Sequence, residues 1–300
     1  MKKTVEWVAV AALVMLASCQ QVPENDVESR AMVKFSVEAT TLPRSEVSGW
    51  GEGADENLEM NGVQVKSRAE TEAATRMAFY LLDEDGEKVL SQEKDNSDDE
   101  YMSLYAEVPV GMYQLVAFAH NGSEDVSVDA NAVITPKGKL TDSFIYYKEL
   151  TLDEESDNSQ SIVLDRCVAK FSLVHTDAIP TEAASVELKI SGAAKALNAK
   201  TGLGKEEEDY TVTINIPSTA IGTKNNQFSI FVFLTDTEST VDVTATTKDA
   251  DGNTIASYTF EDVEMEVNMQ TIYTGAFFHS DQKISASINS EWKDNNEQTF

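Results

Sequence analysis

Apolar and polar residues alternate with a period of two through much of this chain. Val33, Phe35 and Val37 oppose Lys34, Ser36 and Glu38, and Val186, Leu188 and Ile190 oppose Glu187, Lys189 and Ser191. Tyr210, Val212, Ile214 and Ile216 alternate with Thr211, Thr213 and Asn215. Val263, Met265, Val267 and Met269 do the same against Asp262, Glu264, Glu266 and Asn268. Successive side chains of a strand point to opposite faces, so each segment predicts a strand with one face on a core and one in water. Met77 to Leu82, Tyr113 to Phe118 and Phe228 to Leu234 are apolar at both parities, which predicts central strands covered on two sides. Asp85-Gly86 and Asp251-Gly252 stand between such runs and predict tight hairpins, because glycine accepts the positive φ these turns need. Pro109, Pro136, Pro180 and Pro217 fall at run edges, as suits a residue with no N–H to give a ladder. Many short strands without a long helical period predict an all-β chain built of β-sandwiches.

The chain has 300 residues, which suggests two domains at about 150 residues each. The acidic stretch Asp153 to Gln160 precedes a strand at Ser161 to Leu164 and another at Arg166 to Val174. The joint is therefore placed near residue 165, giving sandwiches over 31–164 and 165–300. Pro43 to Lys66, rich in Gly, Glu and Asn around Trp50, reads as an exposed loop, as do Glu93 to Glu100 and Lys195 to Asp209.

The first residues carry a different message. Lys2 and Lys3 precede an apolar run from Trp7 to Leu16 that ends in Leu16-Ala17-Ser18-Cys19. A charged start, a short apolar stretch and small residues before a cysteine predict a secretory signal over 1–18, too short to span a bilayer. The pattern resembles the bacterial lipoprotein box, which implies a diacylated Cys19 thiol, palmitate included, at the new N-terminus and anchoring to a membrane through lipid. Residues 19–30, with Pro23, Glu24, Asp26 and Glu28, read as an acidic tether. A net charge of −29 repels phosphate backbones and anionic headgroups, so nucleic acid is excluded as a partner and the lipid must hold the protein alone.

Chemistry is sparse. With Cys19 acylated, Cys167 is left without an internal disulfide partner; it shares a parity with Ala169, Phe171 and Leu173, which predicts a small inward-facing residue. His120, His175 and His279 are too far apart in sequence for a paired metal motif and read as surface or half-buried strand residues. Gly138-Lys139-Leu140-Thr141 lacks the upstream glycine of a phosphate loop. Asp83-Glu84-Asp85-Gly86 and Asp249-Ala250-Asp251-Gly252 hint at calcium ligands but lack the twelve-residue loop and its closing Glu. Hairpin turns explain them better. No catalytic constellation, metal site or cofactor is expected, and the reading is a non-enzyme.

Four features together resemble the FimB-type anchor and fimbrillin superfamily, the type V pilus lipoproteins of Bacteroidetes. They are the lipobox at Cys19; Val108-Pro109-Val110-Gly111-Met112-Tyr113-Gln114-Leu115, similar to a turn followed by a Gly-x-Tyr strand; Leu164-Asp165-Arg166-Cys167-Val168-Ala169-Lys170-Phe171, similar to the strand opening a second domain; and Thr271-Ile272-Tyr273-Thr274-Gly275 leading to Ile284 and Trp292. The resemblance implies two tandem transthyretin-like, Greek-key sandwiches at the outer membrane and cell surface, partnered by other fimbrial subunits through strand complementation. A sandwich that leaves a groove exposes unpaired backbone and apolar pockets, and a neighbour's strand satisfies both. In stalk subunits of the family, proteolysis after an Arg frees such a groove, whereas anchor subunits keep the first strand; Arg30 and Arg44 are the candidate positions here. The donor candidate is the tail from 283 to 300, where Ile284, Ala286, Ile288 and Trp292 share one parity. An internal edge strand would show the same pattern.

Three roles follow. The first is an anchor or accessory subunit of a surface pilus with a part in adhesion, and the second a polymerising or tip fimbrillin. The third is a surface glycan-binding lipoprotein, for which Trp50, Tyr146 and Tyr147 are the aromatic candidates; the identity of any host or glycan ligand is left open.

Overall fold

The computed structural model describes residues 29–37 and 74–278, together with the backbone of 284–289. Apart from a single 3-10 turn, the regular secondary structure of these residues is all strand, joined by turns and loops. The first group runs β1 (Arg30–Val37), β2 (Arg76–Leu82), β3 (Lys88–Asp95), β4 (Ser103–Pro109), β5 (Gly111–His120), β6 (Val126–Val128), β7 (Val133–Pro136), β8 (Ser143–Leu152), β9 (Asn158–Ile162) and β10 (Asp165–Arg166). The second runs β11 (Ala169–His175), β12 (Ser185–Ala193), β13 (Leu197–Asn198), β14 (Leu203–Gly204), β15 (Glu208–Asn215), β16 (Gln227–Val232), β17 (Glu238–Lys248), β18 (Thr254–Glu266), β19 (Gln270–Gly275) and β20 (Ile284–Asn289).

One topology is used twice. In the first group a sheet ordered β4-β1-β9 faces one ordered β3-β2-β5-β8-β10; in the second, β16-β11-β19-β20 faces β15-β12-β17-β18. Each group's opening strand sits centrally, antiparallel to one neighbour and parallel to the other: β1 against β4 and β9, β11 against β16 and β19. Each is a Greek-key sandwich with the transthyretin-like order the resemblance implied. β10, at the expected joint, pairs back onto β8, with Asp165 opposite Ile145.

The cores follow from side-chain parity. Met77, Phe79 and Leu81 of β2 and Leu115, Ala117 and Ala119 of β5 share a core with Ala31, Val33 and Phe35 of β1. The alternate residues Ala78, Tyr80, Leu82, Val116 and Phe118 belong to a second core, continuous with the interior of the second sandwich. β2 and β5 are thus covered on both faces, as their unbroken apolar runs predicted.

Four expectations need correction. Val263 to Met269 is not one strand, since β18 ends at Glu266 and a turn through Asn268, with φ of +62°, leads into β19. Glu93 to Glu100 is not all exposed loop, since Glu93, Lys94 and Asp95 are half-buried in β3. Phe228 to Leu234 does not make a central strand: β16 is the outer strand of its sheet, and Ser229 and Phe231, on the face away from the core, are only half-buried. Lys195 to Asp209 is not a plain exposed loop either. It folds into the β13–β14 hairpin, which buries Leu197 and Ala199 and adds to β7 of the first group, Leu197 opposite Ile134. A sheet ordered β14-β13-β7-β6 therefore crosses between the two halves.

Candidate assembly site

β1 is a plug in a slot. Its antiparallel ladder to β4 runs from Arg30 opposite Pro109 to Ser36 opposite Ser103, and its parallel ladder to β9 from Val33 opposite Asn158 to Val37 opposite Ile162. Ala31, Val33 and Phe35 are each at most 1% exposed, in a core they share with Leu104, Val108, Leu115 and Ile162. Removing the strand would unpair one edge of β4 and one of β9 and open a cavity between them, a combined loss of hydrogen bonds and apolar burial. The outward residues of β1 face water: Met32 is exposed, the Lys34 ammonium lies 5.2 Å from the centre of the Tyr105 ring, and Arg30 donates to the Glu107 carbonyl at 3.0 Å. Arg30 is also ion-paired to the Glu107 carboxylate at 3.6 Å, with about half of each side chain exposed. It stands at the first residue of β1, so a cut after it would leave the strand in place.

The Gly-x-Tyr motif builds the corner beside this slot. The Tyr113 hydroxyl donates to the Pro109 carbonyl at 2.8 Å, and the Val110 N–H donates to the Ser29 carbonyl at 2.9 Å. The first bond fixes the turn that carries the chain from β4 in one sheet to β5 in the other, and the second ties that turn to the entry of β1.

β20 lies at the opposite end of the chain and at a sheet edge. Its backbone pairs antiparallel with β19, placing Ile284, Ala286 and Ile288 opposite Gly275, Tyr273 and Thr271. In the isolated chain this strand is self-paired. β9 is the counterpart of β19 in the repeat, and among the described residues no strand occupies the place beside β9 that β20 takes beside β19. Cys19, Arg44, Trp50, His279 and Trp292 lie outside the described residues.

The motif opening the second sandwich is an electrostatic joint. Arg166 donates to both carboxylate oxygens of Asp142, at 2.7 and 3.0 Å, and to the Asn268 side-chain carbonyl at 3.0 Å. Its side chain is 1% exposed and stacks 5.0 Å from the Phe144 ring centre. A bidentate pair satisfies the fixed fork of a guanidinium and makes this burial tolerable. Lys170 lies close enough for its ammonium to sit 5.3 Å over Phe231; burial pulls its pKa down to about 8, against the Asp142 charge.

The remaining candidates sort by environment. Asp83 Oδ1 accepts the N–H groups of Asp85 and Glu87, and Asp249 Oδ1 those of Asp251 and Asn253. Both acidic tetrads are hairpin turns whose carboxylate is spent on backbone. Cys167 is buried in the core, and burial together with the Asp142 charge pushes its thiol up, away from the reactive thiolate. His120 and His175 are more buried than expected, at 4% and 0% exposure. Each uses a ring nitrogen as acceptor, His120 Nδ1 from Gly122 N–H and His175 Nε2 from Asn226 N–H. Tyr146 and Tyr147 are half-buried, each packed against one of the two cores, and the Lys200 ammonium lies 5.9 Å from the Tyr147 ring centre. Tyr105, which sequence reasoning passed over, is an exposed aromatic among the described residues, at 53%. No helix among the described residues is long and apolar enough to cross a membrane.

Residues 56–299 match a family described as a family of unknown function, DUF6562. No curated protein matches the chain. Similar solved structures include a candidate adhesin from Bacteroides ovatus, with a TM-score of 0.48 and 13% identity, covering 83% of this chain and 88% of that one. A candidate polysaccharide-binding protein from Bacteroides thetaiotaomicron gives 0.46 and 11%, over 89% and 100%. The tip fimbrial protein Mfa3 of Porphyromonas gingivalis, truncated at its C-terminus, gives 0.39 and 9%, over 87% and 99%. Likeness at this level leaves the role of the chain to be argued from its own residues.

Proposed function

This chain belongs to the DUF6562 family, and we propose that it is a surface pilus subunit, tethered to the outer membrane through an acylated Cys19 and joined to its neighbour by strand complementation. The observation that carries the reading is the first sandwich's dependence on β1. That strand contributes Ala31, Val33 and Phe35 at alternate positions and is hydrogen-bonded on both edges. The tail offers the same spacing in Ile284, Ala286 and Ile288, on a strand held by backbone pairing to β19 at a sheet edge. A strand so held is a natural donor, and a slot so shaped is a natural acceptor.

The two arginines then have different consequences. Cleavage after Arg30 leaves β1 in its slot, whereas cleavage after Arg44, beyond the end of β1, separates that strand from the body. A subunit that keeps β1 has a filled first groove; it donates without accepting and so ends a polymer. That is the anchor role, and it suits a chain fixed by lipid eleven residues before Arg30. Two sandwiches over 31–164 and 165–300, with no catalytic task, fit it.

The test is assembly in the native host. Full-length protein should enter complexes that survive detergent, and deletion of 283–300 should abolish them while leaving the monomer folded. Complexes of unchanged size in the deletion would remove the donor assignment. Glycan binding lost on Tyr105→Ala with assembly intact would instead favour the lectin-like role.

A further inference from the structure

The chain leaving β19, at residues 276–278, is held by a compact latch. Ala276, Phe277 and Phe278 are buried, and the Asp177 carboxylate accepts the N–H of Phe277 at 2.9 Å and that of Phe278 at 2.8 Å. Thr176 N–H donates to the Gly275 carbonyl at 2.8 Å. His175 stands behind these contacts with its ring edge-on to Phe278 at 5.0 Å and tilted over Phe228 at 5.8 Å.

The hydrogen bonds of that ring define one protonation state. Nδ1 lies 2.7 Å from the Asp177 carbonyl, which can only accept, so Nδ1 carries the proton. Nε2 lies 3.1 Å from the Asn226 N–H, which can only donate, so Nε2 must be bare. A second proton on Nε2 would meet that N–H head on and break the bond to the loop. His175 has no exposed surface through which to turn the charged ring to water.

We propose that His175 is an acid-sensitive latch on the C-terminal strand: its protonation loosens the Phe278 anchor and releases β20 from β19. The inference rests on the strand-donor reading given above and adds the regulation of that strand. Among the described residues the surroundings set few competing charges. Asp177 is the charge acting on the ring, and burial outweighs it, holding the imidazole below its ordinary pKa of 6.5. Asn226 and Phe228 approach from the β16 side and Gly275 and Phe278 from the β19 side, all neutral; Lys224, in the same loop as Asn226, is exposed. A base held neutral in the native state and charged when released favours release as pH falls below 6.5.

Hydrogen exchange of the full mature chain, corrected for intrinsic rates, tests this. From about pH 7.5 to about pH 5, protection of 270–275 and 284–289 should fall about tenfold more than that of β12 and β17. His175→Gln, whose amide can donate to Asp177 and accept from Asn226 without titrating, should flatten that difference, and His120→Gln should not. A pH-independent tail, or an acid response shared equally by β12 and β17, overturns the latch even if His175→Gln fails to fold, because both are read in the unmodified chain. The measurement uses the free chain, so a failed latch leaves strand donation standing, and a failed deletion test leaves the acid release of β20 as measured but removes its role in assembly.

Discussion

Single residues in this molecule are tuned by burial more than by charge. Arg166 is tolerated in the interior because Asp142 and Asn268 satisfy its fork, while burial pushes the Asp142 carboxyl up against the opposing pull of Arg166. His120 shows the opposite case, a titrating group with no ion-pair partner. Burial, with a contribution from the Arg76 charge, pulls its pKa from 6.5 down to about 4. The folded state therefore holds fewer protons than the unfolded chain between those values. Stability from this residue is intact above pH 6.5 and declines as pH falls toward about 4, by about 3 kcal/mol in all. Urea midpoints measured across that range should fall in the native protein and fall less in His120→Gln; parallel curves would contradict the assignment.

At the scale of elements, the turns show how one motif meets different surroundings. Gly86 and Gly252 close the two acidic tetrads with φ of +80° and +85°. A Cβ at Gly252 would meet nothing within 4 Å, whereas at Gly86 it would stand 2.3 Å from the Ala130 carbonyl oxygen. Gly252→Ala should cost about 1 kcal/mol through the backbone alone, and Gly86→Ala about 3 kcal/mol through backbone and collision together. Thermal unfolding of the pair checks this, and equal shifts would contradict it. The strands themselves were largely legible: β1, β12 and β15 follow their period of two because one face of each meets a core. β13 and β14 were not, since two-residue strands are too short to show a period and their partner β7 lies far away in sequence. His175 continues the inward parity of Ala169, Phe171 and Leu173, so its burial was legible, but its partners were not, because Asn226 stands 51 residues on and the segment it backs is farther still.

For the whole molecule, the sequence pattern pointed to two sandwiches but could not reveal that they share a core and a crossing sheet. That coupling depends on Ile134 meeting Leu197 and on Arg166 reaching Asp142, contacts no periodicity encodes. The candidate site was legible as parts: the alternation of β1, the tail spacing and the corner at Tyr113. Their arrangement was not, because only the fold places β1 between β4 and β9. The role proposed here requires the subunit to keep that strand while hanging from a lipid. Mass spectrometry of the mature N-terminus from surface-purified protein measures both at once. The account predicts a chain that begins at an acylated Cys19 and continues unbroken through β1; a chain that begins after Arg44, or an unmodified Cys19, would contradict it.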